Sequence, residues 1–183
     1  MLDNLNWMSF NVALALMAVI FGYLFLHSRN LYARILFFVL WILFIPNTIY
    51  LVTDLKWLPE QFPKLDLQNQ LILVAQYLVL LLTGLVTFFF GLRPLEEVLS
   101  KPKHRINIPV PVIIFLANYL IAFGVVLGRV ERINSWDVFT RPSTVFTSAS
   151  NIFNSQEDLI FILLFGTLSN LIYFAWKQFL KFN

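Results

Sequence analysis

Five stretches of this chain are each long and apolar enough to cross a bilayer, and together they leave little chain for anything else. They run Phe10–Leu26, Leu31–Tyr50, Leu71–Leu92, Pro109–Leu127 and Leu159–Trp176. A transmembrane helix needs about 20 mostly apolar residues. The one formal charge inside the five is Arg34, near an end, where a long side chain snorkels to the head groups. Of 183 residues, 59% are hydrophobic and only 13% charged, against roughly 25% charged in a soluble domain. So apolar a chain is not disordered, and it holds too few polar residues to cover a soluble surface. With no Cys, disulfides, thiolate metal sites and Cys nucleophiles are excluded. The expected fold is all-α: one polytopic bundle of five spans filling residues 1–183. The first stretch reads as a retained span, because Leu2 to Trp7 carry Asp3 and no basic residue, unlike a signal peptide.

Lys and Arg set orientation. Alternating loops place eight of the thirteen basic residues on one side (Arg29, Arg34, Arg93, Lys101, Lys103, Arg105, Lys177, Lys181) and five on the other. The larger set marks the cytoplasm, so the N-terminus is expected outside and the C-terminus in the cytoplasm. The net charge of +3 then reads as membrane anchoring and not as nucleic-acid binding.

Local signals mark the boundaries. Ser155 followed by Asp158 resembles a capping box opening the fifth span, and Asp66 suits the start of the third. Pro109 and Pro111 fit the first turn of the fourth. Pro94 to Pro102 reads as a separate short helix at the cytoplasmic surface. Helical spacing gathers small and polar residues into faces: Asn11, Ala15, Ala18 and Gly22 on span one; Gln76, Thr83 and Thr87 on span three; Asn118, Ala122, Val125 and Arg129 on span four; Gly166, Ser169, Asn170 and Tyr173 on span five. Such faces mostly serve close helix contact and interhelical hydrogen bonds.

Two segments ask for more. Pro46 withholds a donor from the carbonyl of Ile42, so span two kinks or ends there. If the helix resumes, Asn47, Tyr50 and Asp54 share a face, with Asp54 at a C-terminal end that disfavours an anion by about 0.3–1 kcal/mol. A carboxylate there calls for a donor or a cation, unless it is a solvated interfacial Asp. The other segment follows span four: Arg129, Arg132, Asn134, Ser135, Trp136, Asp137 and Arg141, in a connection of about thirty residues, where loops beyond about 12–15 residues are usually functional or disordered. Trp136 to Arg141 reads as ordered, and Ser143 to Ser150 as a mobile stretch. Both segments fall on the same side by parity, so Asn47, Tyr50, Asp54, Arg129, Arg132, Asn134, Trp136, Asp137 and Arg141 are the candidate binding residues of one extracytoplasmic pocket, with Asp54 paired to Arg129 or Arg132.

Phe44-Ile45-Pro46-Asn47 with Tyr50 and Thr53-Asp54-Leu55, followed by Gly128-Arg129, Asn134-Ser135-Trp136-Asp137-Val138 and Arg141-Pro142, resembles the bacterial integral membrane protein family catalogued as domain of unknown function 1361. The resemblance spans most of the chain. It implies a polytopic prokaryotic membrane protein with these motifs as its signature, and it brings no activity, substrate or catalytic residue.

Three function classes follow from the residues. The first is a protein that binds or assembles with a membrane lipid, another membrane protein or its own copies through the polar pocket. The second is a membrane-embedded enzyme acting on a lipid or isoprenoid head group, with Asp54 or Asp137 as acid or base and Arg129, Arg132 or Arg141 holding an anion. The third, a transporter subunit, is the weakest, since repeats and mid-membrane ionisable residues are missing. Standard catalytic sets are missing too. His27 and His104 lie on the opposite side from the acids, Ser135 has no G-x-S-x-G setting, and no Gly-rich phosphate loop occurs. Asp54 and Asp137 with an Asn carbonyl would hold a hard cation only weakly, so no metal and no cofactor are expected.

Overall fold

The computed structural model describes residues 2–101 and 108–181. Among them there is no strand, and five helices are long and apolar enough to cross a membrane. In chain order the elements are α1 (Leu2–His27), α2 (Leu31–Phe44), α3 (Pro46–Thr53), α4 (Leu58–Gln61), α5 (Leu67–Leu99), α6 (Val110–Arg129), α7 (Asp137–Thr140), α8 (Pro142–Asn154) and α9 (Gln156–Lys181). Single 3₁₀ turns, Asp54–Trp57 and Phe62–Lys64, flank α4. The chain divides into two compact units, Met1–Gly91 and Leu92–Asn183.

In the first unit, α1 packs on α2 and α3. The small-residue face of α1 is where the spacing placed it: Ala15, Ala18 and Gly22 are buried. Asn30 opens α2 by accepting the amides of Tyr32 and Ala33 at 2.8 and 3.2 Å, the geometry of an N-cap. Pro46 does interrupt span two. α2 stops at Phe44 and α3 starts at Pro46, and nearby polar side chains take up carbonyls at the joint. Asn47 Nδ2 donates to Phe44 O at 3.0 Å, and Thr48 Oγ1 to Ile45 O at 2.7 Å. A proline break in an apolar helix is tolerated where nearby side chains hydrogen-bond the backbone around it.

The kinked segment lies on glycines of α5. A Cβ at Gly84 would come within 2.9 Å of Leu51 Cβ and 3.2 Å of Thr48 O, and one at Gly91 within 2.5 Å of Ile45 Cδ1. Seven residues apart, the two glycines lie on one face. Trp41 Nε1 donates to Gly91 O at 2.8 Å, beside a ring cluster of Phe25, Phe38 and Trp41. On the same helix Thr87 is buried and donates to Thr83 O, whereas Gln76 Oε1 is buried with no hydrogen-bond partner among the described residues.

The second unit is built on α6 against α9, with α8 touching both. The expected faces meet: Asn118, Ala122 and Val125 on α6 are buried, as are Ser169, Asn170 and Tyr173 on α9. Asn118 Nδ2 donates to Asn170 Oδ1 at 2.8 Å, and Asn170 Nδ2 donates to the carbonyls of Phe115 and Gly166. Ser155 Oγ accepts the Asp158 amide at 3.2 Å, as the capping spacing predicted.

Two expectations are corrected. Pro94 does not start a separate helix: α5 runs unbroken from Leu67 to Leu99 with Pro94 inside. A proline forfeits only the one bond to the carbonyl four residues back, here that of Phe90, and the ladder closes again beyond it. Pro102, Lys103, His104 and Arg105, which entered the surface-helix and orientation readings, lie outside the described residues. The Ser143–Ser150 stretch is helical, not loose: Pro142 begins α8, which ends only at Asn154. The connection after α6 is accordingly two short helices. Two of its hydroxyls return to the helix's own carbonyls, Thr147 to Ser143 O and Ser150 to Phe146 O, which satisfies them within the helix.

Candidate functional site

In the first unit, Asp54 is not a solvated interfacial acid. It caps α3 and opens the following 3₁₀ turn, its amide donating to Leu51 O and Val52 O, and it is only 3% exposed. Its Oδ2 accepts from Asn11 Nδ2 at 3.2 Å, the donor that a carboxylate at a helix C-terminus requires. Asn47 spends an amide hydrogen on the Pro46 joint, and Tyr50 lends its carbonyl to the Thr53 hydroxyl at 2.7 Å. Sequence reasoning missed the network beside Asp54. Asn4 Nδ2 donates to Gln61 Oε1, Gln61 Nε2 to the Tyr77 hydroxyl, and Trp7 Nε1 to Asn4 Oδ1. Tyr77 is buried within the core of Met8, Ala15, Leu51, Leu73 and Leu80. Its signal was a buried-face Tyr at apolar helical spacing, which sequence alone reads as core.

In the second unit, the residues after α6 form a compact knot around Asp137. Arg129 is the last residue of α6, and Val130 caps it by donating to Val126 O. Arg132 then adopts a left-handed backbone, φ 55°, which sends the Ile133 amide back to Leu127 O at 3.0 Å. Asn134, Ser135, Trp136 and Asp137 follow as a reciprocal turn. The Asn134 amide donates to Asp137 Oδ2 at 2.8 Å, and the Asp137 amide to Asn134 O at 2.9 Å. An acid three residues after the turn's first residue, reaching back to that residue's amide, is one half of a capping box. That spacing accounts for the tight Asn-Ser-Trp-Asp block. Pro142 disfavours a helical backbone at the residue before it, and Arg141 turns away at φ −142°, ψ 57°, where α7 ends after one turn.

Asp137 is 1% exposed and surrounded by donors. Besides the Asn134 amide and side chain, Thr140 Oγ1 lies at 3.3 Å, Arg141 Nε at 3.3 Å and Arg141 Nη2 at 2.9 Å. The Asn134 amide, more than the Arg141 guanidinium, holds its carboxyl below the ordinary value, against the opposing effect of burial. A carboxylate held ionised and donor-saturated is a poor acid or base near neutral pH. Its partner faces outward: the Arg141 side chain is 59% exposed, beside exposed Trp136, Val138 and Phe139. Arg132 and Asn134 are exposed as well.

A third polar cluster, also missed, joins the end of α5 to α9. Glu96 accepts the Tyr173 hydroxyl at 2.7 Å and pairs with Lys177 Nζ. Placing Glu96 on a separate surface helix hides this cluster, because only a continuous α5 fixes the face on which Glu96 stands. No group of three or more acids and imidazoles suited to a metal occurs among the described residues.

The class these observations define is a helical protein with five helices fit to cross a membrane, carrying a buried acid near the kink of its second apolar segment and a capped Asn-Ser-Trp-Asp turn after its fourth. The chain matches the family described as Protein of unknown function (DUF1361) over residues 10–172, most of its length. It belongs to that family, and the resemblance carried by the two motifs is thereby confirmed. No curated protein and no solved structure matched the chain significantly.

Proposed function

We propose that this chain is a multi-pass protein of the bacterial cytoplasmic membrane, N-terminus outside, that binds an anionic lipid head group at its extracytoplasmic surface through the Asn134–Arg141 turn. The observation that carries this reading is the division of labour between Asp137 and Arg141. The acid is consumed in fixing the turn, while the guanidinium that it steadies stays open to the surroundings. Arg offers a planar fork of donors suited to phosphate, and Trp136 and Phe139 supply the amphipathic and apolar contact expected at a head-group boundary. Binding of this kind needs no acid–base group, in keeping with a depressed Asp137. The basic-residue bias supports the orientation.

The test is lipid retention by protein purified in mild detergent, comparing phosphatidylglycerol with phosphatidylcholine by native mass spectrometry. Arg141→Gln should abolish the preference for the anionic lipid, and Arg141→Lys should keep part of it. An unchanged preference in Arg141→Gln refutes the assignment. A second reading, an enzyme acting on a lipid or isoprenoid head group, loses Asp137 as its acid but retains Asp54, a nearly fully buried carboxylate beside a span, where ionisable residues are commonly kept for function. Asp54→Asn should abolish the cellular phenotype at normal abundance if that reading holds.

A further inference from the structure

We infer that α8 is an interfacial helix, lying in the leaflet at the C-terminal end of α6 with Phe146 and Phe153 immersed in the acyl-chain layer. This rests on the membrane reading above, but not on the head-group assignment.

The sequence of α8 sorts into three faces. At about 100° per residue, Ser148 and Ile152 lie together, and both are buried; α8 touches α6, α7 and α9. Phe146 and Phe153 lie within about 20° of one another, on a second face, and are 77% and 66% exposed. The remaining arc carries Ser143, Thr147, Asn151 and Asn154, all exposed and none apolar. A helix in water has no use for two exposed phenyl rings on one line, and a helix immersed on all sides in hydrocarbon has none for four exposed polar side chains. A helix lying in the interface uses both, one face in each medium.

Two further observations select acyl chains as the occupant of the Phe face. No residue from Pro142 to Gln156 is ionisable, so no charge in the segment resists placement of its Phe face in the apolar layer. The Phe153 ring stacks on Phe123 at 5.6 Å between centroids, and Phe123 sits six residues, about 9 Å, inside the end of α6. That contact carries the Phe face down to the level of an apolar span. On α9, Leu163, Leu164 and Leu171 are likewise exposed apolar side chains.

The absence of native Cys makes site-directed spin labelling clean. Labels at positions 146, 151, 153 and 164 of the full chain in lipid nanodiscs would be compared for collision with oxygen and with a neutral nickel chelate. The oxygen-to-nickel ratio at 146 and 153 should match that at 164 and exceed that at 151 several-fold. A nickel-favoured label at 146 and 153, with 164 oxygen-favoured, overturns the inference and leaves the membrane reading standing. Exclusion of both reagents at 146 and 153 means a protein covers that face and overturns it as well, as does an oxygen-favoured label at 151. A nickel-favoured label at 164 is the outcome that removes the membrane reading itself.

Discussion

Gly84 and Gly91 are sevenfold-spaced neighbours on α5, yet the same substitution should affect them differently. At Gly84 an added methyl group meets Leu51 Cβ at 2.9 Å and the Thr48 carbonyl oxygen at 3.2 Å. Neither atom can swing aside, because a Cβ and a backbone oxygen move only with their helix. Restoring ordinary contact requires α3 and α5 to separate by about 0.5 Å, and a gap of that size forfeits about a quarter of each contact's attraction along the seam. Overpacking of this kind costs about 1–3 kcal/mol, partly offset by the roughly 1 kcal/mol that Ala gains over Gly within a helix. At Gly91 the obstacle is Ile45 Cδ1 at 2.5 Å, the far end of a side chain, which a rotamer change costing about 0.5–1.5 kcal/mol removes. The propensity gain cancels that. Gly84→Ala is therefore expected to be less stable than Gly91→Ala by about 1 kcal/mol. The assay is reversible unfolding of detergent-solubilised protein in increasing SDS fraction, read by Trp fluorescence. Equal midpoints for the two variants, or the reverse order, would refute a rigid α3–α5 contact at Gly84.

Other consequences are open to measurement. Because the Asp137 carboxyl is depressed in the folded turn, its contribution to stability is complete above the unfolded value near 3.8 and is lost as pH falls through the lower folded value. Hydrogen exchange across residues 134–141 should accelerate in that acid range, and Asp137→Asn should flatten the dependence. Arg132→Gly should raise stability by about 0.5–1 kcal/mol, since a left-handed backbone strains any residue with a Cβ; a loss in the same unfolding assay would show that the Arg side chain supplies more than the strain removes. A double-mutant cycle of Asn118→Leu and Asn170→Leu should return a coupling of about 0.6 kcal/mol, and no more than about 1.7, the range for hydrogen bonds between membrane helices. A coupling near zero would mean that the 2.8 Å bond contributes nothing that the separated helices lack.

The fold was legible because apolar length is a one-dimensional property. A run such as Leu71 to Leu92 announces a span whatever surrounds it, and period alone placed Ala15 and Ala18, or Asn118 and Ala122, on inward faces. Punctuation was read less well. Pro46 and Pro94 are the same residue in similar apolar settings, but one ends α2 and the other lies inside α5. At Pro46, Asn47 and Thr48 donate to the carbonyls of Phe44 and Ile45 just before it, so a break is stabilised. At Pro94 no such pair follows, and continuing the helix through one missing bond is the cheaper course. The difference lies in the two residues after the proline, not in the proline. The Ser/Thr-rich 143–150 segment misled in the same manner: its hydroxyls could bond outward or back along the chain, and only the fold decides which.

Residue type identified where chemistry is concentrated but not what each group does. Asp54 and Asp137 look alike in the sequence, two acids next to aromatic and amide residues near the ends of spans. Their roles depend on donors. Asp137 draws most of its donors from residues within four positions, Asn134, Thr140 and Arg141, and that arrangement was readable in principle, because an acid three residues after an Asn is capping-box spacing. Asp54 takes its amide donor from Asn11, forty-three residues earlier, which no local pattern reveals. The locally satisfied acid is the one whose charge goes into shaping a turn. The acid that takes a donor from a distant helix depends on how the first unit is assembled, so any chemistry dependent on Asp54 should respond to changes at Asn11.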